Sequence, residues 1–148
     1  MKTKIVFLDS FFLIFMLPAL LIGQDISVHK FMGKTNADVI TKYGNPVHQD
    51  FSNPDMNCMF YQTKTNRMIF VAGKEGIYQS EATVAYDSET KARNVFSEFI
   101  SESRADGFET DSISANVFQL NKTGVKVDIQ LFENKITKTF DVSVKAHK

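Results

Sequence analysis

The apolar positions along this chain repeat at two different periods, and the alternation between them sets out the elements. In the last third, Val125, Val127, Ile129 and Leu131 alternate with Lys126, Asp128 and Gln130. Phe140, Val142, Val144 and Ala146 alternate in the same way with Asp141, Ser143 and Lys145. A period of two marks strands with one face buried and one face wet, as antiparallel sheets allow. Gln79–Tyr86 reads likewise, with Ala82, Val84 and Tyr86 on one side. Shorter strands are predicted at Asn57–Thr63 and Arg67–Ala72, joined by Lys64-Thr65-Asn66, with a further turn at Gly73–Gly76. Over Ser112–Leu120 the apolar set changes sides, which predicts a strand with a bulge or bend.

Two stretches repeat at helical spacing instead. Ala92, Val95, Phe96, Phe99 and Ile100 form one stripe, with Asp87 or Ser88 able to cap it and Gly107 to close it. A shorter helix follows Thr35, where Asp38 three residues on suits a capping box. Val39, Ile40 and Tyr43 share its apolar side, and Gly44 and Pro46 end it. Polar, turn-rich residues then run from His48 to Asp55. The predicted order is α-β-β-β-α-β-β-β, an α+β fold with an antiparallel sheet covered on one face by two helices. The order repeats, which suggests a duplicated αβββ unit, although no residue-level repeat is evident.

The start of the chain has a third pattern. Lys2 and Lys4 precede an apolar run from Phe11 to Leu21, and Ile22-Gly23-Gln24 leads into Asp25. This reads as a secretory signal peptide over residues 1–24, since the run is too short for a membrane span of about 20 residues. The expected mature protein, residues 25–148, is a single exported domain, periplasmic or extracellular. Cleavage removes Lys2, Lys4 and Asp9 from 17 basic and 17 acidic residues, leaving a net charge near −1. Such a chain lacks the basic field that nucleic acid or an anionic membrane surface would attract. The one cysteine, Cys58, cannot form an intrachain bridge, so the core must stabilise the fold.

Gly33–Pro46 follows the pattern G-x-T-x-x-x-V-x-x-x-x-G-x-P. It resembles the SmpA/OmlA (BamE-like) family of small outer-membrane-assembly lipoproteins, and the related repeats of β-lactamase inhibitory protein. Met59-Phe60-Tyr61 and Gln79–Tyr86 sit where those families carry their aromatic and amphipathic strands. The resemblance implies a non-catalytic protein-binding role in the cell envelope. The lipoproteins are acylated on a first mature cysteine. That position is Asp25 here, so no membrane anchor is expected.

The candidate chemistry is sparse. Cys58 lies among large apolar residues, where a thiol is inert, and no neighbouring motif supplies a base. His29, His48 and His147 form no metal-ligand spacing, although Asp50 and Asp55 lie near His48. Glu98 and Glu102 fit a solvated helix face. Gly73-Lys74-Glu75-Gly76 precedes no helix and is too short for a phosphate loop. No catalytic residue, cofactor or metal is therefore expected. Three aromatics in or beside predicted turns, Phe51, Phe108 and Phe132, are the candidate binding residues. The expected partner is another envelope or secreted protein. A secreted hydrolase inhibitor is the second reading. The third is a small-ligand or lipid cavity lined by Phe96, Phe99 and Phe140.

Overall fold

The computed structural model of the protein describes residues 25–148, so the signal-peptide expectation for residues 1–24 lies outside the described residues. A 3₁₀ turn at Val28–Phe31 leads to helix α1 (Asn36–Tyr43). Four strands follow: β1 (His48–Asp50), β2 (Asn57–Gln62), β3 (Asn66–Gly73) and β4 (Gly76–Tyr86). Helix α2 (Glu89–Ala105) opens the second half, followed by β5 (Glu109–Ser114), β6 (Val117–Lys122), β7 (Val125–Asn134) and β8 (Thr139–His147). All eight strands form one antiparallel sheet in the order β1-β2-β3-β4-β8-β7-β6-β5.

The fold is α+β with two helices, but each half carries four strands instead of three. Two local effects account for the difference. His48–Asp50 is a polar strand, paired with Cys58–Phe60 and exposed along its length, so no apolar alternation announces it. Ser112–Leu120 is two strands joined by a tight turn at Ala115-Asn116, and the pairing shifts register between Ser112 and Ser114. The change of apolar side along that stretch marks a hairpin. The last strand of each half meets the other at the centre of the sheet, β4 against β8, so strand order is symmetric about that seam.

Residues directly opposed across antiparallel strands share a face. One face carries the row Tyr61–Met68–Ala82–Val144–Ile129–Phe118 and the adjacent row Met59–Phe70–Ser80–Ala146–Val127–Leu120. Apart from half-buried Phe118, all of these are buried. They form one cluster with Ile26, Val28 and Phe31 of the N-terminal segment, Val39 and Tyr43 of α1, and Ala92, Phe96, Phe99 and Ile100 of α2. The buried Ser80 hydroxyl is satisfied by donating to the Val28 carbonyl at 3.1 Å.

The helix ends follow their sequence signals. Thr35 caps α1 with a complete capping box: its Oγ1 accepts from the Asp38 N–H, and the Asp38 carboxylate accepts from the Thr35 N–H at 2.8 Å. Ser88 caps α2, while Asp87 pairs with Lys91 at 2.9 Å. A backbone strap crosses the end of the sheet. The Gly33 N–H donates to the Ile77 carbonyl at 2.7 Å, and the Ile77 N–H donates to the Lys34 carbonyl at 2.8 Å. Gly76 lies beneath this strap with φ +95°, and a Cβ there would stand 2.7 Å from both the Gly33 and Lys34 carbonyl oxygens.

Candidate binding surfaces

The other face of the sheet is built from the alternate residues of the same strands. One of its rows runs His48–Phe60–Ile69–Glu81–Lys145–Asp128. The next runs Asp50–Cys58–Val71–Gln79–His147–Lys126. These rows divide at the β3–β4 boundary. On β2 and β3 the face is apolar: Phe60 and Ile69 are half-buried, and Val71 is 8% exposed. The His48 ring lies against Phe60 with centroids 5.5 Å apart. On β4, β8 and β7 the face is charged, with Lys145 paired to Glu81 at 3.2 Å and Asp128 opposite Lys145.

Three large exposed apolar side chains lie near the apolar part. Among the described residues six are conspicuous, and Val47, Phe51 and Met56 fall beside β1 or at the ends of the β1–β2 loop. The loop itself, Phe51 to Met56, is exposed throughout. Two Asx turns shape it: the Ser52 N–H donates to Asp50 and the Asp55 N–H to Asn53, each at 3.0 Å. Those Ser52 bonds hold the Asp50 carboxyl below its usual range.

The three aromatic candidates do not form one patch. Phe51 opens the β1–β2 loop and is 46% exposed. Phe132 lies within β7, opposite Asp141, and is 40% exposed. Five inter-strand steps of about 4.8 Å separate β1 from β7, roughly 24 Å in all. Phe108 follows α2 and packs inward. Its ring meets the buried His29 ring edge-on at 5.6 Å, with the Lys122 ammonium 5.5 Å from its centroid. The apolar side chains Phe60, Ile69 and Val71 were not singled out from sequence. The short runs of β2 and β3 are apolar on both faces, and alternation is what would have assigned them.

The remaining candidates are quiet chemically. Cys58 is half-exposed opposite Asp50. Burial raises its thiol, and the Asp50 charge adds to the rise, so the thiolate is disfavoured. Its Sγ lies 3.8 Å from the Met56 carbonyl oxygen. His29 is buried between Phe99 and Phe108, neither ring nitrogen has a hydrogen-bond partner among the described residues, and burial lowers its pKa to about 4. Among the described residues no three His, Cys, Asp or Glu side chains are grouped to hold a metal ion. Phe96, Phe99 and Phe140 do not line one cavity. Phe140 is half-buried on β8, opposite Tyr86. Phe96 borders a groove on one flank of α2, and Phe99 borders a groove on the other.

No protein-family model matches the sequence, and no curated protein matches it. Among solved structures, a cysteine-rich secretory protein from Staphylococcus aureus is similar over 84% of this chain, with 10% identity and a TM-score of 0.48. An extracellular protein containing an SCP domain from Bacillus anthracis is similar over 100% of the chain, with 13% identity and a TM-score of 0.46. This chain spans 47% and 49% of those two chains. Likeness of this degree carries no argument about activity or partners. Among the described residues, no helix is long and apolar enough to cross a membrane.

Proposed function

We propose that this is an exported, non-catalytic module that binds another envelope or secreted protein. In this reading both helices lie on one face of the sheet, and the opposite face is the recognition surface. One observation carries it. The half-exposed Phe60 and Ile69 stand together on β2 and β3, flanked by the exposed loop from Phe51 to Met56. A contiguous apolar surface beside a charged one is a common form of protein contact site, the apolar part supplying affinity and the charged part register. The raised thiol of Cys58 and the buried imidazole of His29 argue against those two side chains as a nucleophile and base.

The test is crosslinking and pull-down of tagged wild-type protein from its native envelope and medium, in parallel with a Phe51→Ser/Ile69→Thr double variant. A stoichiometric protein partner that the double variant loses and that Lys91→Gln, on α2, retains is the expected result. Full retention by the double variant would remove the apolar half of the face from the argument. A second reading rests on the β1–β2 loop, whose exposed Phe51 and Met56 suit insertion into an enzyme cleft. Recovery of a hydrolase whose activity falls on adding the purified protein would favour an inhibitor.

A further inference from the structure

Helix α2 has two flanks of opposite chemistry. One borders a groove lined by Asp25, Glu98 and Glu102 together with Ile26, Val95 and Phe99. The other faces the β5–β6 hairpin across a groove of ≈ 280 Å³. Its floor is Phe96, Ile100 and Phe118, with the Phe96 and Phe118 rings edge to face at 5.8 Å. Arg93 stands at one end and Arg104 at the other, and among the described residues no carboxylate lines the groove. The two arginines are eleven residues apart on the helix. That is about three turns, which puts them on the same side and roughly 16 Å apart.

Their existing bonds leave the two arginines differently placed. Nη2 of Arg93 donates to Glu89 at 3.0 Å and to Asn116 Oδ1 at 3.1 Å, so its charge is largely answered and it ties the hairpin turn to the helix. Arg104 donates through Nε to Thr110 Oγ1 at 2.8 Å, and it makes no ion pair among the described residues. Both terminal amino groups of Arg104 therefore remain for a second acceptor. The Nε bond to the hairpin holds the guanidinium plane in a set direction, which suits a bidentate carboxylate.

We propose that this groove binds an extended acidic–apolar segment of a partner protein. An apolar side chain of the segment would rest on Phe96, Ile100 and Phe118, and a carboxylate would pair with Arg104. About five extended residues span the groove at roughly 3.3 Å each. Two things favour a peptide over a free fatty acid. The groove is open along its length, so an acyl chain would keep one side in water. The Ser97 and Ser101 side chains also line the groove, and their hydroxyls suit the polar backbone of a peptide, which an acyl chain lacks. The site is separate from the open face of the sheet and does not depend on that face being an interface.

The experiment is fluorescence polarisation at low and physiological salt. It uses a labelled pentapeptide with leucine and phenylalanine between two terminal glutamates. The same peptide with glutamines and the carboxylate amphiphile decanoate serve as competitors. The glutamate peptide is expected to bind at least five-fold more tightly than the glutamine peptide, and Arg104→Gln is expected to lose that difference. Arg67→Gln, on the open face, should leave it unchanged. A thermal melt of Arg104→Gln within a few degrees of wild type separates a lost contact from a lost fold, and Arg104→Lys gives an independent variant should the melt shift further. Equal binding of the two peptides, binding of neither, or displacement by decanoate at lower concentration than by the unlabelled glutamate peptide would each overturn the proposal.

Discussion

Replacing Gly76 with alanine should be among the most damaging single-methyl changes this chain can suffer. Two costs add at that position. A residue with a Cβ at φ +95° lies in left-handed backbone space, at about 1–2 kcal/mol. The new methyl would also stand 2.7 Å from two backbone oxygens, those of Gly33 and Lys34. Neither is the end of a flexible side chain, so the strap must move. Moving it breaks the paired hydrogen bonds between Gly33, Lys34 and Ile77, together about 2 kcal/mol. The sum is about 3–4 kcal/mol, which lowers the melting midpoint of a domain this size by on the order of 10–15 °C. Gly124 provides the control. It has φ +78°, but a Cβ there meets nothing within 4 Å, so Gly124→Ala should cost only the backbone term, about 1–2 kcal/mol. Thermal and urea denaturation of both variants, followed by circular dichroism, measures the difference. If the two substitutions lower stability equally, the strap is not held against Gly76 as described.

Other consequences follow from individual contacts. His29 titrates near 6.5 in the unfolded chain and at about 4 when buried, so below 6.5 the unfolded state binds the extra proton. Stability should therefore fall as pH drops from about 6.5 to about 4, by on the order of 2–3 kcal/mol, and His29→Phe should flatten that limb in urea titrations at fixed pH. Asp38 acts in a separate window: its hydrogen bonds with Thr35 lower its pKa, so its contribution is present above the ordinary carboxylate value and disappears in stronger acid. Thr35→Ala should cost about 1 kcal/mol through loss of the cap, read by the same denaturation and absent from a Thr41→Ala control. Tyr61 donates to the Gly44 carbonyl at 2.9 Å, joining β2 to the end of α1, and Tyr61→Phe should cost about 1 kcal/mol with no change in far-ultraviolet circular dichroism.

Both helices, their caps and the alternation of β4, β7 and β8 were legible along the chain, because those signals are local. A capping box needs residues three apart, and a half-buried strand writes its two faces into alternate positions. β1 was not legible. It is three polar residues long and owes its strand geometry to pairing with β2, not to its own composition. The hairpin of β5 and β6 was half legible, since the shift of apolar side marked a break without saying that the chain reversed. The candidate surfaces divide in the same way. Phe51, Phe108 and Phe132 stand at or beside predicted turns, yet exposure depends on what packs over a residue, and Phe108 folds against His29. The apolar cluster on β2 and β3 joins neighbouring strands, and the Arg93–Arg104 groove joins a helix to a hairpin, so neither corresponds to a continuous motif. Where the chain turns helical or extended is written locally, because propensity, capping and periodicity act over a few residues. Which side chains meet is settled by long-range packing, because strand order, the central β4–β8 seam and the strap over Gly76 depend on residues far apart in the chain.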